Sequence, residues 1–221
     1  MTIRSYNQLC GLAFALDVVG ERWTLLIIRE LAAGPLRFTD LLVGLPGIST
    51  NLLTERLKGL EQRGLLARRT LAPPAASTVY ELTALGAGLK PTLLELGHWG
   101  SQFVAEAGAD CQLLHLGSYA LTPQTFFRPE LAEGLDKTYA LHIGGENQTV
   151  RIVDGAIDVR QGEPTTWDMA IYADVATYLG LLTRELDPQR ALADGLARVE
   201  GDKAEFFRFV DLCGMPKLTD L

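Results

Sequence analysis

The sequence predicts two domains: an N-terminal winged helix-turn-helix, mainly α with a β-wing, over residues 1–107, and a C-terminal α+β domain over residues 108–221. Three observations predict them. Residues 22–64 read as an apolar helix, a short helix, a Gly-Pro-Gly-rich turn and a third helix that opens on polar residues. That arrangement sets side chains into a DNA major groove. Residues 65–83 read as two short strands joined by a Pro-rich loop, the form of a β-wing. From Thr138 the pattern changes to period-two alternation, so a sheet underlies the second half.

In the first half, Leu9, Leu12, Ala13 and Leu16 recur at helical spacing and predict a helix over 9–19. A second helix spans 22–33 and is closed by Gly34-Pro35, which cannot continue it. A short third helix covers 38–42. The turn Gly44-Leu45-Pro46-Gly47 follows, and Ser49 is an N-cap for a helix running to Gly64. After the wing, Thr83 is expected to cap one long helix over 84–107, with Pro91 either kinking it or opening a second segment. A long terminal helix beside a winged helix packs against a twin, so a homodimer is expected.

Around Gly108-Ala109-Asp110 the character changes. Tyr139, Leu141 and Ile143 fall on one face of a strand, and Gly144-Gly145-Glu146-Asn147 forms a hairpin turn. Val150, Ile152, Ile157 and Val159 continue the meander through Asp154-Gly155. Further strands are expected at 167–173 and 196–199. Asp174, Asp187-Pro188 and Asp202 open helices, the last ending near Cys213. A sheet with helices segregated around it is an α+β domain.

The 221 residues, 48% of them hydrophobic, suffice for proper cores. The net charge of −7 is unevenly spread: residues 1–100 carry +2 and residues 101–221 carry −9. Such asymmetry suggests that one half meets a polyanion. No run of 18 apolar residues is present and the first residues lack the apolar core of a secretion signal, so neither membrane insertion nor export is expected. Cys10, Cys111 and Cys213 make neither a disulfide framework nor a zinc pattern, which fits a cytoplasmic protein.

On a helical wheel Leu53, Leu57 and Leu60 form a buried stripe, with Asn51, Glu55, Lys58 and Gln62 opposite and Thr54 at the edge. Asn pairs bidentately with adenine, Glu accepts from cytosine, and Lys reaches guanine or phosphate. Ser49 and Thr50, at the helix N-terminus, suit a phosphate. The same face also fits an ordinary solvated helix, and the helix-turn-helix spacing with a wing behind it is what favours DNA. Arg56 fits a structural ion pair or a phosphate contact. Arg37, Arg68 and Arg69 are the backbone-contact candidates, and strand alternation turns Arg68 and Arg69 to opposite faces. The wing tip has no Lys or Arg, so its contribution is limited to Ser77 and Thr78.

The stretch CGLAFALDVVGERWTLLIIRELAAGPLRFTDLLVGLPGISTNLLTERLKGLEQRGLLARRT, followed by VYELTALGAGL, closely resembles the HxlR family of bacterial winged-helix regulators, over about residues 8–100. The resemblance implies a dimer, held by the N-terminal and long C-terminal helices, on a pseudo-palindromic operator of double-stranded DNA. In the second half, LDKTYALHIGGENQTVRIVDGAIDVRQGEP, WDMAIYADVATYLGLLTRELDP and LARVEGDKAEFFRFVDL resemble the sterol carrier protein type 2 domain. That implies a hydrophobic tunnel for an apolar small molecule, which Phe126, Phe127, Trp167, Tyr172, Tyr178, Leu182, Phe206 and Phe209 would line; plain core packing accounts for the same residues.

Cys10 lies where some HxlR-like regulators carry a redox-sensing thiol, and it also reads as a small buried hydrophobe. His98, His115 and His142 are too dispersed for a metal site, and no nucleophile elbow, phosphate loop or HExxH motif is present. No metal, cofactor or catalysis is therefore expected. The leading expectation is a repressor whose C-terminal domain senses an apolar molecule. Two others stand beside it: a regulator switched through Cys10 with a structural C-terminal domain, and a lipid carrier that uses the winged helix for dimerisation.

Overall fold

Ser49 starts the helix around which the N-terminal unit is organised. In the computed structural model, which describes residues 5–72, 76–106 and 119–215, contacts divide the chain into units Met1–Leu93 and Leu94–Leu221. Cys111, His115, Arg4, the wing-tip prolines and the expected junction at 107/108 lie outside the described residues. The N-terminal unit runs α1 (Gly11–Val19), α2 (Thr24–Leu31), β1 (Leu36–Arg37), α3 (Phe38–Gly44), α4 (Thr50–Gln62), β2 (Leu66–Thr70), β3 (Thr78–Leu82) and α5 (Ala84–Ala87). Leu53, Leu57 and Leu60 of α4 pack with Ile27, Ile28 and Leu31 of α2 and Leu41 of α3. Each such side chain contributes about 1.5–3 kcal/mol by leaving water. Their common stripe fixes the rotation of α4 and turns its polar face outward.

The wing is an antiparallel sheet of order β1-β3-β2, with Arg68 opposite Tyr80 and Arg69 opposite Val79. Strand β1 was not expected, because two residues carry no periodicity. Helix α1 begins at Gly11 rather than Leu9. Its Ala13 and Val19 are buried, while Leu9, Leu12, Phe14 and Leu16 stay exposed.

Of the two forms expected for the helix over 84–107, the structure has the second, with Pro91 opening a separate segment. Thr83 does cap the first segment, its hydroxyl accepting from the Gly86 amide at 3.2 Å, but α5 ends at Ala87. Gly86 lies so close to the wing that a Cβ would stand 2.1 Å from the Leu65 carbonyl oxygen, and two glycines in three residues weaken the helix. Helix α6 (Lys90–Gly100) then starts afresh with Pro91 in its first turn, where the missing amide costs nothing, and a 3₁₀ segment (Ser101–Glu106) follows.

The C-terminal unit contains α7 (Thr122–Thr125), β4 (Asp136–Ile143), β5 (Glu146–Val153), β6 (Ala156–Gln161), β7 (Met169–Ala173), α8 (Val175–Leu182), α9 (Pro188–Ala193), β8 (Ala197–Gly201) and α10 (Lys203–Cys213). The sheet order is β6-β5-β4-β7-β8, antiparallel except for the β4–β7 pair. Tyr139, Leu141, Ile143, Val150, Ile152 and Ile171 face Tyr178, Leu182, Phe206 and Phe209 of α8 and α10 in one core. The hairpin between β4 and β5 needs Gly144 and Gly145, at φ 60° and 87°. As expected, Asp174, Asp187 and Asp202 cap α8, α9 and α10 through their side chains. The strand expected from Trp167 begins at Met169, because Asp168 instead accepts from the Thr138 amide through its carboxylate.

Candidate functional site

Helix α4 exposes Thr50, Asn51, Thr54, Glu55 and Lys58 on the side away from its leucine stripe. The Ser49 hydroxyl accepts from the Leu52 amide at 3.3 Å, so it caps the helix. The Thr54 hydroxyl donates to the Thr50 carbonyl at 2.8 Å, and Glu55 accepts from Arg56 at 3.2 Å. Asn51 and Lys58 project their polar ends to solvent, and no ion pair engages Lys58 among the described residues. Exposed Arg37 precedes α3, its backbone amide donating to Asp40 Oδ2 at 3.0 Å.

Arg56 resolves the alternative left open by sequence. Its Nε donates to the Arg22 carbonyl at 3.2 Å and its guanidinium pairs with Glu21 at 3.0 Å. The corner between α1 and α2 is thereby tied to the middle of α4. Trp23, in the same corner, holds a left-handed backbone at φ 78°, an unusual state for a bulky residue. A Cβ on Gly47 would meet its ring at 3.8 Å, so Trp23 backs the turn that launches α4. Sequence reading passed over Trp23; its only signal is an aromatic between the two charged residues Glu21-Arg22 and an apolar helix.

In the wing, the Arg68 guanidinium lies 5.6 Å from the Tyr80 ring centroid, while Arg69 pairs with Glu81 at 3.0 Å. The alternation of these two arginines is as expected. Ser77 is half-buried, and its hydroxyl has no hydrogen-bond partner among the described residues.

The eight residues that the resemblance places around a tunnel do not share one environment. Tyr178, Leu182, Phe206 and Phe209 lie together in the core, and Phe127 packs against it. Phe126 is buried with its ring 5.7 Å from that of His98. Trp167 is exposed. Tyr172 is on the opposite face of the sheet, stacked on His142 at 4.2 Å with Arg198 over its ring at 3.7 Å. Gln148, which sequence reading missed, occupies the inward phase of β5 shared by Val150 and Ile152 and is 1% exposed. A polar residue at an apolar phase was the signal available.

Cys10 is exposed at the N-cap of α1, and the backbone amides of Ala13 and then Leu12 hold its thiol below the ordinary range. Burial has the opposite effect on Cys213, pushing its thiol up. No described helix is long and apolar enough to cross a membrane.

An outward polar helix over a leucine stripe, with a β-wing behind it, defines the winged helix-turn-helix class. The HxlR-like helix-turn-helix family matches residues 18–107, and the SCP-2 sterol transfer family matches residues 121–213. The chain is 35% identical over 107 residues to the HTH-type transcriptional regulator YodB of Bacillus subtilis, a match covering 48% of this chain and 96% of YodB. It is 34% identical over 108 residues to the HTH-type transcriptional regulator sll1512 of Synechocystis, covering 49% of this chain and 80% of that one. The solved structure of YodB in its reduced form aligns at 36% identity, with a TM-score of 0.39, over 44% of this chain and 96% of that chain. The chain belongs to the HxlR-like helix-turn-helix family of DNA-binding transcriptional regulators, and carries an SCP-2-like domain behind the winged helix.

Proposed function

We propose that this regulator is a dimeric, non-catalytic repressor that reads a pseudo-palindromic operator through α4, and that its C-terminal domain, from residue 108 onward, senses an apolar small molecule. The observation that carries the DNA reading is the exposed polar face of α4, with Asn51, Glu55 and Lys58 opposite buried Leu53, Leu57 and Leu60. Asn51, Thr54, Glu55 and Lys58 read base edges, while Ser49, Thr50 and Arg37 meet the backbone; the Ser77 hydroxyl is buried and takes no part. Arg68 is better placed than Arg69 for a phosphate, since Glu81 already neutralises Arg69. The exposed Leu9, Leu12 and Phe14 of the α1 region and Leu96 and Trp99 of α6 supply apolar surface for pairing with a second copy.

A ligand switches such a dimer only if it prefers one geometry of the two reading heads, because equal affinity for both states shifts nothing. The test is fluorescence anisotropy on the protein's own upstream DNA, across salt concentrations and with scrambled competitor, repeated with fatty acids, sterols and aromatic hydrophobes. Specific, salt-steep binding released by one ligand class supports the reading. Specific binding that ignores every ligand rejects the sensing half, and absence of specific binding rejects the whole.

A second reading has its own observation. The exposed, acidified thiol of Cys10 suits oxidation. Cys10→Ser would then abolish any oxidant response of operator binding and leave reduced-state binding intact.

A further inference from the structure

The C-terminal sheet begins and ends on a strand with one open side, β6 at one edge and β8 at the other. Among the described residues β6 pairs only with β5. A bare edge is a template for another strand, and folds blunt it with lysine, proline, a bulge or a very short strand. Strand β6 uses none of these. Its six residues contain no Lys or Pro, and they keep an unbroken register with β5, from Gln148↔Gln161 to Val153↔Ala156.

The charges that β6 does carry are symmetric about its middle. Val159 packs into the core, so Asp158 and Arg160 on either side of it lie on the outer face of the sheet. They pair with each other at 2.5 Å, and the Arg160 side chain is 78% exposed. If a second β6 is laid antiparallel across Val159, Asp158 of each copy stands opposite Arg160 of the other. Val159 then meets Val159, and Ile157 meets Gln161. Opposite charges directly across an antiparallel pair stabilise it, and like charges destabilise it. The pattern continues into the sheet, where Arg151 of β5 stands opposite Asp158 and pairs with Asp136 of β4. Signs thus alternate from Asp136 through Arg151 and Asp158 to Arg160 of the second copy.

The other edge is not equivalent. Strand β8 also has opposite charges around a valine, Arg198 and Glu200 about Val199. Both are engaged with the sheet: Arg198 lies over the Tyr172 ring at 3.7 Å, and Glu200 accepts from the Tyr172 hydroxyl at 3.3 Å.

We propose that β6 is a self-association edge, on which a second copy of this chain pairs antiparallel about Val159 and joins two five-stranded sheets into one. The contact is isologous, so two-fold symmetry closes it. It is separate from the apolar surface of the α1 region and α6, and does not depend on that surface.

The test uses the full-length protein. In Arg160→Lys, which keeps the charge and supplies an amine, a zero-length carbodiimide should join Asp158 of one copy to position 160 of the other. The covalent dimer is isolated on a denaturing gel and its joined peptides are identified by mass; absence of that link overturns the proposal. Charge reversal is then read by sedimentation equilibrium across a concentration series. Arg160→Asp sets like charges opposite each other twice over and leaves Asp158 facing Arg151, so association at this edge should weaken about tenfold. Asp158→Arg should weaken it alike, and an equimolar mixture of the two variants should restore it. No weakening by Arg160→Asp, or no recovery in the mixture, overturns the proposal. Arg190→Asp makes the same change of charge on α9, and an equal weakening there would assign the effect to net charge and reject the edge. If Asp158→Arg does not fold by circular dichroism, Arg160→Asp and the cross-link decide. A protein that sediments as a dimer without the β6 link rejects this contact and keeps the winged-helix pairing, whereas a monomer rejects both.

Discussion

Helix α4 and strand β5 place polar side chains in opposite settings. On α4, Asn51, Glu55 and Lys58 face water above a complete leucine stripe, so the helix folds without needing them. On β5, Gln148 faces inward among Val150 and Ile152, and its amide lacks a partner that folding would ordinarily provide. A polar side chain that faces water costs little to keep and is free to be selected for recognition, whereas a core amide persists against a penalty and points to something that offsets it. In one unit the chemistry lies outside the core; in the other it lies within.

The sharpest way to test this contrast is to damage each core. Phe206 and Leu57 are 0% and 2% exposed. Replacing Phe206 with Ala should cost about 3–5 kcal/mol and Leu57 about 2–5 kcal/mol, through lost burial and the cavity left behind. Urea denaturation measures both. Leu57→Ala should also abolish operator binding by loosening α4, and Phe206→Ala should leave it within a few-fold. Loss of DNA binding in Phe206→Ala would show that the two settings are not separable.

Next in size, Asn51→Ala should cost about 1–3 kcal/mol against the preferred operator and little against scrambled DNA, in paired anisotropy titrations. Uniform loss would make Asn51 a backbone contact. Ser49→Ala removes the acceptor at 3.3 Å from the Leu52 amide and should destabilise the fold by about 1 kcal/mol. Arg37→Ala should weaken all sequences alike, lowering the salt slope by about 1.

The same contrast explains what was legible in the sequence. The α4 stripe, the Ser49 cap and the three Asp-capped helices of the C-terminal unit follow from local spacing and side-chain chemistry, and each forms as expected. That the helix after the wing comes in two segments was legible from Pro91, but not that the first stops as early as Ala87, which depends on how closely Gly86 approaches Leu65, a contact made across the fold. Nor was the true setting of Tyr172. It and Ile171 are adjacent apolar residues in sequence, and only the sheet's facing decides that one enters the core while the other stacks on His142. Trp23 is illegible for a related reason: its left-handed backbone is imposed by the corner that also holds Arg56.

The smallest expected effect concerns a cap on the buried side of the comparison. Asp174 accepts from the Thr177 amide at 2.6 Å, and that hydrogen bond, aided by the Thr177 hydroxyl, holds its carboxyl below the usual range. A carboxylate that is more acidic in the folded state is protonated first in the unfolded chain as pH falls, so unfolding gains ground. Its contribution is fully present above the unfolded value of about 3.9 and is lost as pH drops through the lower folded value. Asp174→Asn keeps an oxygen acceptor for the cap but cannot titrate. The wild type should therefore melt higher than Asp174→Asn near pH 6, and the gap should narrow between pH 4 and pH 3. A gap that stays constant with pH would mean that the cap acts through geometry alone, and that α8 presents Tyr178 to the core without any electrostatic help from its N-terminus.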